Sequence, residues 1–331
     1  MTIHTVRSGD SVYSVAREYG VPPSRIITDN LLENPGRLAV GQELVILFPT
    51  VTHTVRGGET LTGIAAMYGT TLLDLYRNNP ILGGLPNVYP GQVLNIAYET
   101  PPLGEISLNG YAYTSIDRDV LRRTLPYLTY LSVFSYGITE DGELIPPAGD
   151  DTELIALARE YRAVPLLVLT SVTERGTFSS ERAAEILSDL ARRAVLIENV
   201  VNTVREKGYG GIDVDFEYIP AENADEYAAF VAEINAAVGE DYPVFAALAP
   251  KYSADQQGLL YQGHNYRALG EAADYALLMT YEWGYTYGTP YVYPKPPVGK
   301  DRGLLWYRGN YLFSKMVPFF TVSMTSMTLA A

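Results

Sequence analysis

The chain has 331 residues, of which 47% are hydrophobic, enough to form packed cores in two or three domains. Its net charge of −14 and pI of about 4.7 argue against a nucleic-acid-binding protein, which needs a basic surface. There are no cysteines, so disulfides and thiolate metal sites are excluded. The three histidines, His4, His53 and His264, are too scattered to predict a metal site.

The first hundred residues contain an internal repeat. The segment from His4 to Ser11 recurs almost unchanged from His53 to Thr60. Each copy predicts a short strand, a glycine turn, two helices and a closing strand, which together make a small β-α-α-β unit. The second helices are predicted near 24–30 and 72–79, and the closing strands at 43–47 and 93–97.

These repeats resemble LysM modules, on the pattern H-T-V-x-x-G-(D/E)-(S/T) and a terminal P-G-Q-x-L-x-I. The second copy keeps both parts, whereas Val40 replaces the proline in the first. The resemblance covers 2–48 and 51–98 and implies peptidoglycan or another N-acetylglucosamine-containing glycan as partner. The loop residues that it implies are Gly9, Asp10, Ser11, Asn30, Gly58, Glu59, Thr60 and Asn79. The alternative is that these glycines and acids serve only as turns and helix caps.

A short proline-containing linker at 99–104 precedes a different pattern, in which strands and helices alternate. This pattern predicts an α/β fold with a parallel sheet, and six strands in order favour a (β/α)8-type TIM barrel over 105–288. The predicted strands are 106–113, 128–136, 164–170, 211–218, 244–249 and 276–281. The predicted helices are 118–125, 151–161, 180–207, 224–238 and 264–273.

The fourth of these strands is acidic. Asp213, Asp215 and Glu217 alternate with apolar residues, so a regular strand would place all three carboxylates on one face. Crowding of this kind pushes one acid to keep its proton while a neighbour stays ionised, which suits general acid catalysis. The alternative is a half-exposed strand with an acidic outer face, but flanking helices predict a buried parallel sheet.

The acidic strand resembles the D-x-x-D-x-D-x-E signature of family 18 glycoside hydrolases, with Gly210 in place of the first Asp. Residues 278–284 are similar to the family's sixth strand, M-x-Y-D/E. Together with the LysM pair, 128–136 and 279–288 resemble spore-cortex-lytic N-acetylglucosaminidases of endospore-forming bacteria.

This resemblance implies a role for each site residue. Glu217 would be the general acid, Asp215 would orient and stabilise the substrate's 2-acetamido group, and Asp213 would share a proton with Asp215. Tyr281 would hydrogen-bond the acetamido carbonyl. Further substrate contacts are implied for Met279, Glu282, Trp283 and Tyr136, although Tyr281 and Met279 could also be plain barrel lining. No metal or organic cofactor is expected.

The match to the barrel stops near Gly288, well short of the roughly 250 residues of a typical eight-stranded barrel. Residues 289–331 contain five basic residues and one acid, in contrast to the acidic remainder of the chain. We interpret the last two βα units as missing or frame-shifted, so that the barrel is truncated after about six units. The alternative is a divergent tail that completes the barrel irregularly.

These features predict a retaining β-N-acetylglucosaminidase that hydrolyses peptidoglycan, specifically spore cortex, by substrate-assisted catalysis. The alternatives are a catalytically impaired glycan-binding spore-coat or cell-wall protein and a chitinase. No secretory signal peptide is visible and no membrane span is expected, and the predicted location is the spore coat or cortex, or the cell wall.

Overall fold

The computed structural model describes residues 1–98, 106–251, 253–279 and 322–323. By their contacts these divide into two units. The first unit comprises Met1–Glu105 together with Asp117–Tyr127, and the second comprises Ile106–Ile116 together with the chain from Leu128 onward.

Both repeats of the first unit fold as the predicted β-α-α-β motif, each with one antiparallel strand pair. The elements of the first repeat are β1 (Thr2–Thr5), α1 (Val12–Tyr19), α2 (Pro23–Asp29) and β2 (Glu43–Ile46). Those of the second repeat are β3 (Pro49–Thr54), α3 (Leu61–Tyr68), α4 (Leu72–Asn78), a 3-10 turn (Pro80–Leu82) and β4 (Val93–Tyr98).

The repeated sequence signals act as helix boundaries. Ser11 begins α1 by accepting a hydrogen bond from the backbone N–H of Ser14, and Thr60 begins α3 in the same way. Both helices end at a glycine in the left-handed conformation, Gly20 with φ 68° and Gly69 with φ 64°. The two copies therefore start and stop their first helices by the same local chemistry.

The segment α5 (Arg118–Thr124) and the 3-10 turn Leu125–Tyr127 group with the repeats and not with the sheet that surrounds them in sequence. Arg77 Nε donates a 2.6 Å hydrogen bond to the carbonyl oxygen of Pro126. A side chain at Gly84 would overlap the backbone carbonyl of Arg122. The predicted barrel domain begins at residue 105, but this helix groups by its contacts with the repeats that precede that boundary.

The second unit alternates strands and helices. Its elements are β5 (Asn109–Tyr113), β6 (Tyr130–Ile138), β7 (Leu144–Ile145), α6 (Thr152–Glu160), β8 (Val164–Thr170), α7 (Ser180–Ser188), α8 (Leu190–Lys207), β9 (Gly211–Asp215), a 3-10 turn (Ala221–Asn223), α9 (Ala224–Val238), β10 (Val244–Leu248), α10 (Leu259–Gln262), α11 (Tyr266–Ala272), β11 (Tyr275–Leu278) and β12 (Val322–Ser323).

The six long strands of this unit lie in one sheet in the order β11-β10-β9-β8-β6-β5, and every neighbouring pair is parallel. The short strand β7 pairs antiparallel with β6, and β12 pairs antiparallel with β5. Six parallel strands in chain order confirm the predicted α/β class and the partial TIM barrel. Every residue of β9 and β10 is buried, so the acidic strand lies in the interior of the sheet.

One predicted helix, 180–207, is two helices in the structure. Asp189 separates α7 from α8 in an extended conformation, with φ −98° and ψ 104°. Its carboxylate accepts hydrogen bonds from the backbone N–H groups of Ala191 and Arg192, so it begins a new helix where the pattern suggested a continuous one. Among the described helices none is long and apolar enough to cross a membrane.

Candidate active site

The three acids of the signature lie at the carboxyl end of β9. The strand ends at Asp215, so Glu217 lies just beyond it and is half-buried, whereas Asp213 and Asp215 are buried within the sheet. The prediction of a strand continuing to residue 218 was therefore too long. The carboxyl end of a parallel strand is where barrel enzymes hold catalytic residues.

Asp213 is fixed by the first two strands of the barrel. Its Oδ2 atom accepts hydrogen bonds from Tyr111 OH at 2.6 Å and from Ser132 Oγ at 2.8 Å. Asn109 Nδ2 in turn donates to Ser132 Oγ at 2.9 Å. Complete burial raises the pKa of Asp213, and the two hydroxyl donors oppose that rise.

Asp215 has the least favourable surroundings for a negative charge. Burial, followed by the charges of Glu217 and Asp213, raises its pKa well above the usual range. Its Oδ1 atom is buried and has no hydrogen-bond partner among the described residues. The Asp215 carboxyl group therefore keeps its proton to a higher pH than an ordinary Asp, which is the direction that crowding of the acids predicts.

Phe216 packs the strand end into the core behind the acids. Its ring stacks on Tyr227 with centroids 5.9 Å apart and an interplanar angle of 6°, and lies 5.4 Å from the ring of Phe230. The chain then turns at Tyr218, which has a φ of 57° and is exposed. Glu217 is thus set between a buried aromatic residue and a tight turn.

Sequence reasoning missed the residues that support Asp213. Asn109, Tyr111 and Tyr113 occupy alternate positions of β5, the same pattern that drew attention to the acids. Tyr113 is close enough to Asp215 that burial and the charge of that acid both raise its pKa. The sequence signal for this face of β5 is the alternation of hydroxyl and amide side chains along the strand.

Tyr136 is not brought to the acids by a contact that the structure shows. It is buried, and its hydroxyl donates a 2.6 Å hydrogen bond to Asp151. Asp151 also accepts from Tyr209 OH at 2.7 Å and from Lys207 Nζ at 2.6 Å. Tyr136 is therefore buried with its hydroxyl bonded to Asp151, and its contact with substrate stays a prediction.

The other predicted contacts follow β11. Met279 is half-buried, and its backbone N–H donates to the carbonyl of Leu248 at 3.0 Å, which places it beside the end of β10. The remaining three predictions, Tyr281, Glu282 and Trp283, lie outside the described residues.

The predicted glycan loops of the two repeats are built as rigid turns. Gly9 and Gly58 have φ values of 93° and 86°, which a glycine adopts without strain. The carboxylate of Asp10 accepts from the backbone N–H of Arg7 at 2.7 Å and pairs with His4 Nε2 at 3.1 Å. In the second repeat Glu59 makes the matching contacts, with the backbone N–H of Arg56 at 2.8 Å and His53 Nε2 at 2.7 Å.

The two asparagines of these loops brace the backbone. Asn79 Nδ2 donates to the carbonyls of Leu75 and Asn95 at 2.9 Å each, and its Oδ1 accepts from the N–H of Asn95 at 2.7 Å. Asn30 ties α2 to β2 with the same three bonds. Each asparagine uses both amide N–H groups and one lone pair of Oδ1 within its own repeat, and side-chain glycan contacts of Asn30 and Asn79 stay predictions.

Within residues 1–98, 106–251 and 253–279, no group of three or more His, Asp or Glu side chains is arranged to hold a metal ion.

Residues 122–298 match glycosyl hydrolases family 18, and residues 4–47 and 53–97 match the LysM domain. The cortical fragment-lytic enzymes of Bacillus anthracis and Bacillus subtilis (strain 168) are each 32% identical over 318 residues. Those alignments cover 92% and 93% of this chain and 71% of each relative.

Among solved structures, the Bacillus cereus spore cortex-lytic enzyme SleL superposes with a TM-score of 0.67 at 31% identity, covering 88% of this chain and 67% of that one. The fold and its acidic strand define a barrel-type glycoside hydrolase joined to two LysM domains. This chain belongs to glycosyl hydrolases family 18.

Proposed function

We propose that the chain is a retaining β-N-acetylglucosaminidase that hydrolyses peptidoglycan, with spore cortex as its substrate. The observation that carries this proposal is the arrangement of Asp213, Asp215 and Glu217 at the carboxyl end of β9, where burial and neighbouring charges raise the pKa of Asp215. The substrate is proposed from the relatives, which are named as cortical fragment-lytic enzymes.

The proposed reaction begins with proton transfer from Glu217 to the glycosidic oxygen, as the sugar's own 2-acetamido oxygen attacks the anomeric carbon. The C–O bond to the leaving group breaks, and a cyclic oxazolinium forms. Water deprotonated by Glu217 then opens the oxazolinium at the anomeric carbon, which restores the acid and gives net retention. The nucleophile belongs to the substrate, so a second carboxylate opposite the sugar is not required.

Asp215 and Asp213 serve the charge that develops on the acetamido group. Each has one buried oxygen, Oδ1, without a partner among the described residues, and a proton shared by the two acids would satisfy both. When that proton moves toward Asp213, Asp215 becomes a carboxylate that stabilises the oxazolinium. Tyr111 and Ser132 hold Asp213 in place during this exchange.

The LysM domains would hold the enzyme on its polymer. Because the side chains of Asn30 and Asn79 are engaged internally, binding is assigned to the backbone of the turns at Gly9–Ser11 and Gly58–Thr60. Two modest sites on one chain raise the avidity for a polymeric glycan without any new contact. Because the proposed ligand is the glycan of that layer, we propose the spore cortex or cell wall as the location of the protein.

The proposal is tested by incubating purified cortex peptidoglycan with the native chain and with Glu217→Gln, and measuring the release of reducing ends and the protein in the pellet. We expect release from the native chain and a loss of about 10²–10⁴-fold in Glu217→Gln, the range for removing a general acid. Both proteins should pellet with the wall. Pelleting without release by either would favour a catalytically impaired glycan-binding protein, and release from chitin but not from cortex would favour a chitinase.

A further inference from the structure

His264 lies behind the strand end that carries the acids, and its side chain is fully buried. Its Nδ1 atom accepts a hydrogen bond from the backbone N–H of Ala249 at 3.0 Å, just after β10. Its Nε2 atom lies 3.0 Å from the carbonyl oxygen of Phe216. Since Nδ1 accepts, the proton is on Nε2, and the ring donates to Phe216 as a neutral imidazole.

The neutral form is consistent with the surroundings of the ring. The pKa of His264 is lowered to about 4, because burial and the charge of Lys251 together outweigh the opposing effect of the Phe216 carbonyl. The ring of Tyr227 lies 5.8 Å away and completes the enclosure. At neutral pH the imidazole therefore acts as a fixed donor and acceptor and does not transfer protons.

The carbonyl that His264 binds belongs to the peptide group leading directly into Glu217. We propose that His264 is a positioning residue, which orients the Glu217 carboxyl by fixing the Phe216–Glu217 peptide group against the end of β10. This inference rests on the proposed function of Glu217. It assigns a role to a histidine that the acid signature does not include.

A second contact holds the other side of Glu217. Gly263, the neighbour of His264, packs so closely on Ile219 that a side chain at this position would overlap the carbonyl oxygen and the side chain of Ile219. The chain from Phe216 to Ile219 is thus held at both ends by two consecutive residues. Tyr218, between these anchors, adopts the unfavourable positive φ of 57° that such a constraint can impose.

Further hydrogen bonds hold the backbone of His264 and of its partner Ala249. Lys251 Nζ donates to the carbonyl of His264 at 2.6 Å. The Tyr266 hydroxyl donates to the carbonyl of Ala249 at 2.5 Å and accepts from the N–H of Lys251 at 2.8 Å. The histidine is therefore a rigid link between the ends of β9 and β10.

The test compares three variants of the full chain. His264→Phe keeps a ring but removes both hydrogen bonds, and His264→Gln restores one donor and one acceptor. Leu269→Ala is the control, because it removes a buried apolar side chain from α11 and keeps both hydrogen-bonding atoms of His264. Turnover is measured on soluble tetrasaccharide fragments of cortex, alongside the melting temperature.

We expect His264→Phe to lower kcat by about 10²-fold with KM little changed, the effect of misplacing a catalytic group by about 1 Å. His264→Gln should recover most of this loss. Leu269→Ala should lower the melting temperature and leave kcat near the native value. Native kcat in His264→Phe, or an equal loss of kcat in Leu269→Ala, would overturn the inference.

Hydrogen exchange over residues 216–220 provides a readout that needs no turnover. Exchange should rise in His264→Phe and return toward the native rate in His264→Gln. If the native chain releases no product but this pattern appears, the proposed function fails, and His264 only fixes the Phe216–Glu217 peptide group without a role in turnover. If the native chain is active and exchange does not change, the positioning role is wrong.

Discussion

Asp215 is a single residue through which the site lowers the stability of the folded chain. It is a buried carboxyl group beside two further acids, and its ionised form is disfavoured by burial and by the charges of Glu217 and Asp213. Enzymes commonly hold such groups at the expense of stability. The resulting loss in the free energy of unfolding can be measured as a function of pH.

The sign follows from the direction of the pKa shift. A raised folded-state pKa means that folding favours protonated Asp215. The stability that this contributes is fully present below the ordinary Asp pKa of about 3.9 and is lost as pH rises through the raised value. The variant Asp215→Asn cannot titrate, so it escapes this loss.

We therefore expect Asp215→Asn to resemble the native chain in unfolding free energy near pH 4 and to exceed it by about 1–2 kcal/mol at pH 7. Urea denaturation at the two pH values measures the difference. The exposed Glu240→Gln is a matched control that should change neither value. A native chain that is as stable as Asp215→Asn at pH 7 would contradict the assignment of Asp215 as a disfavoured charge.

For single residues, the sequence pattern places side chains where a strand is regular, and it does not where the strand is irregular. Alternation along β9 identified the acids, because period-two patterning holds to the end of that strand. Counting by two from Ser132 would place Tyr136 on the same face of β6. A register irregularity between Val133 and Tyr136 breaks that count, and Tyr136 instead bonds to Asp151.

At the scale of elements, the two repeats show how side chains replace missing backbone partners. Asn79 bonds α4 to β4 through three backbone groups while 3% exposed, and Asn30 repeats the arrangement in the first copy. The asparagine was predicted as a ligand residue because it falls in the loop where the LysM family binds glycans. Only the backbone geometry shows that its amide is already used.

Replacing Asn79 by alanine leaves the backbone N–H of Asn95 buried without its partner. We expect Asn79→Ala to lower the free energy of unfolding of the repeats by about 1–3 kcal/mol, the cost of an unsatisfied buried group. Exposed Asn34→Ala should have little effect. Thermal unfolding measures the change, and a stable Asn79→Ala protein with weakened glycan binding would instead support a ligand role.

Element boundaries were predicted within a few residues wherever a capping residue or glycine marks the end. The strand Val164–Thr170 and the helix Ala224–Val238 match the sequence prediction. The division between α7 and α8 was missed because apolar periodicity continues through Asp189, and only its capping bonds reveal the break. Hydrophobic patterning alone does not distinguish a continuous helix from two that adjoin.

At the scale of the whole molecule, the net charge contributes long-range electrostatic forces toward any charged polymer. The chain carries a net charge of −14, and peptidoglycan carries carboxylates on its peptide stems. Like charges repel over distances that salt shortens, with a Debye length of about 30 Å at 0.01 M and about 8 Å at 0.15 M. Chitin has no such charges and provides a natural comparison.

We expect binding of Glu217→Gln to purified cortex to strengthen as sodium chloride rises from about 10 to 150 mM, since repulsion is screened over this range. Binding to chitin should change little. Pelleting assays at both salt concentrations measure the two affinities. Cortex binding that weakens as salt rises would show that local attraction at the glycan loops outweighs the net charge.

The sequence also predicted the order of the whole molecule, with two repeats followed by a parallel-stranded barrel, because local signals repeat along the chain. It did not predict that α5 would group with the repeats, since that contact depends on Arg77 and Gly84 far away in sequence. Such long-range packing has no local signature.

We propose that Glu217 catalyses hydrolysis of the bond after N-acetylglucosamine in cortex peptidoglycan. The most direct test is mass spectrometry of borohydride-reduced products from purified cortex, comparing the native chain with Glu217→Gln. We predict fragments ending in reduced N-acetylglucosamine from the native chain and none from Glu217→Gln. Fragments ending in reduced muramic acid, or equal products from both proteins, would contradict the claim.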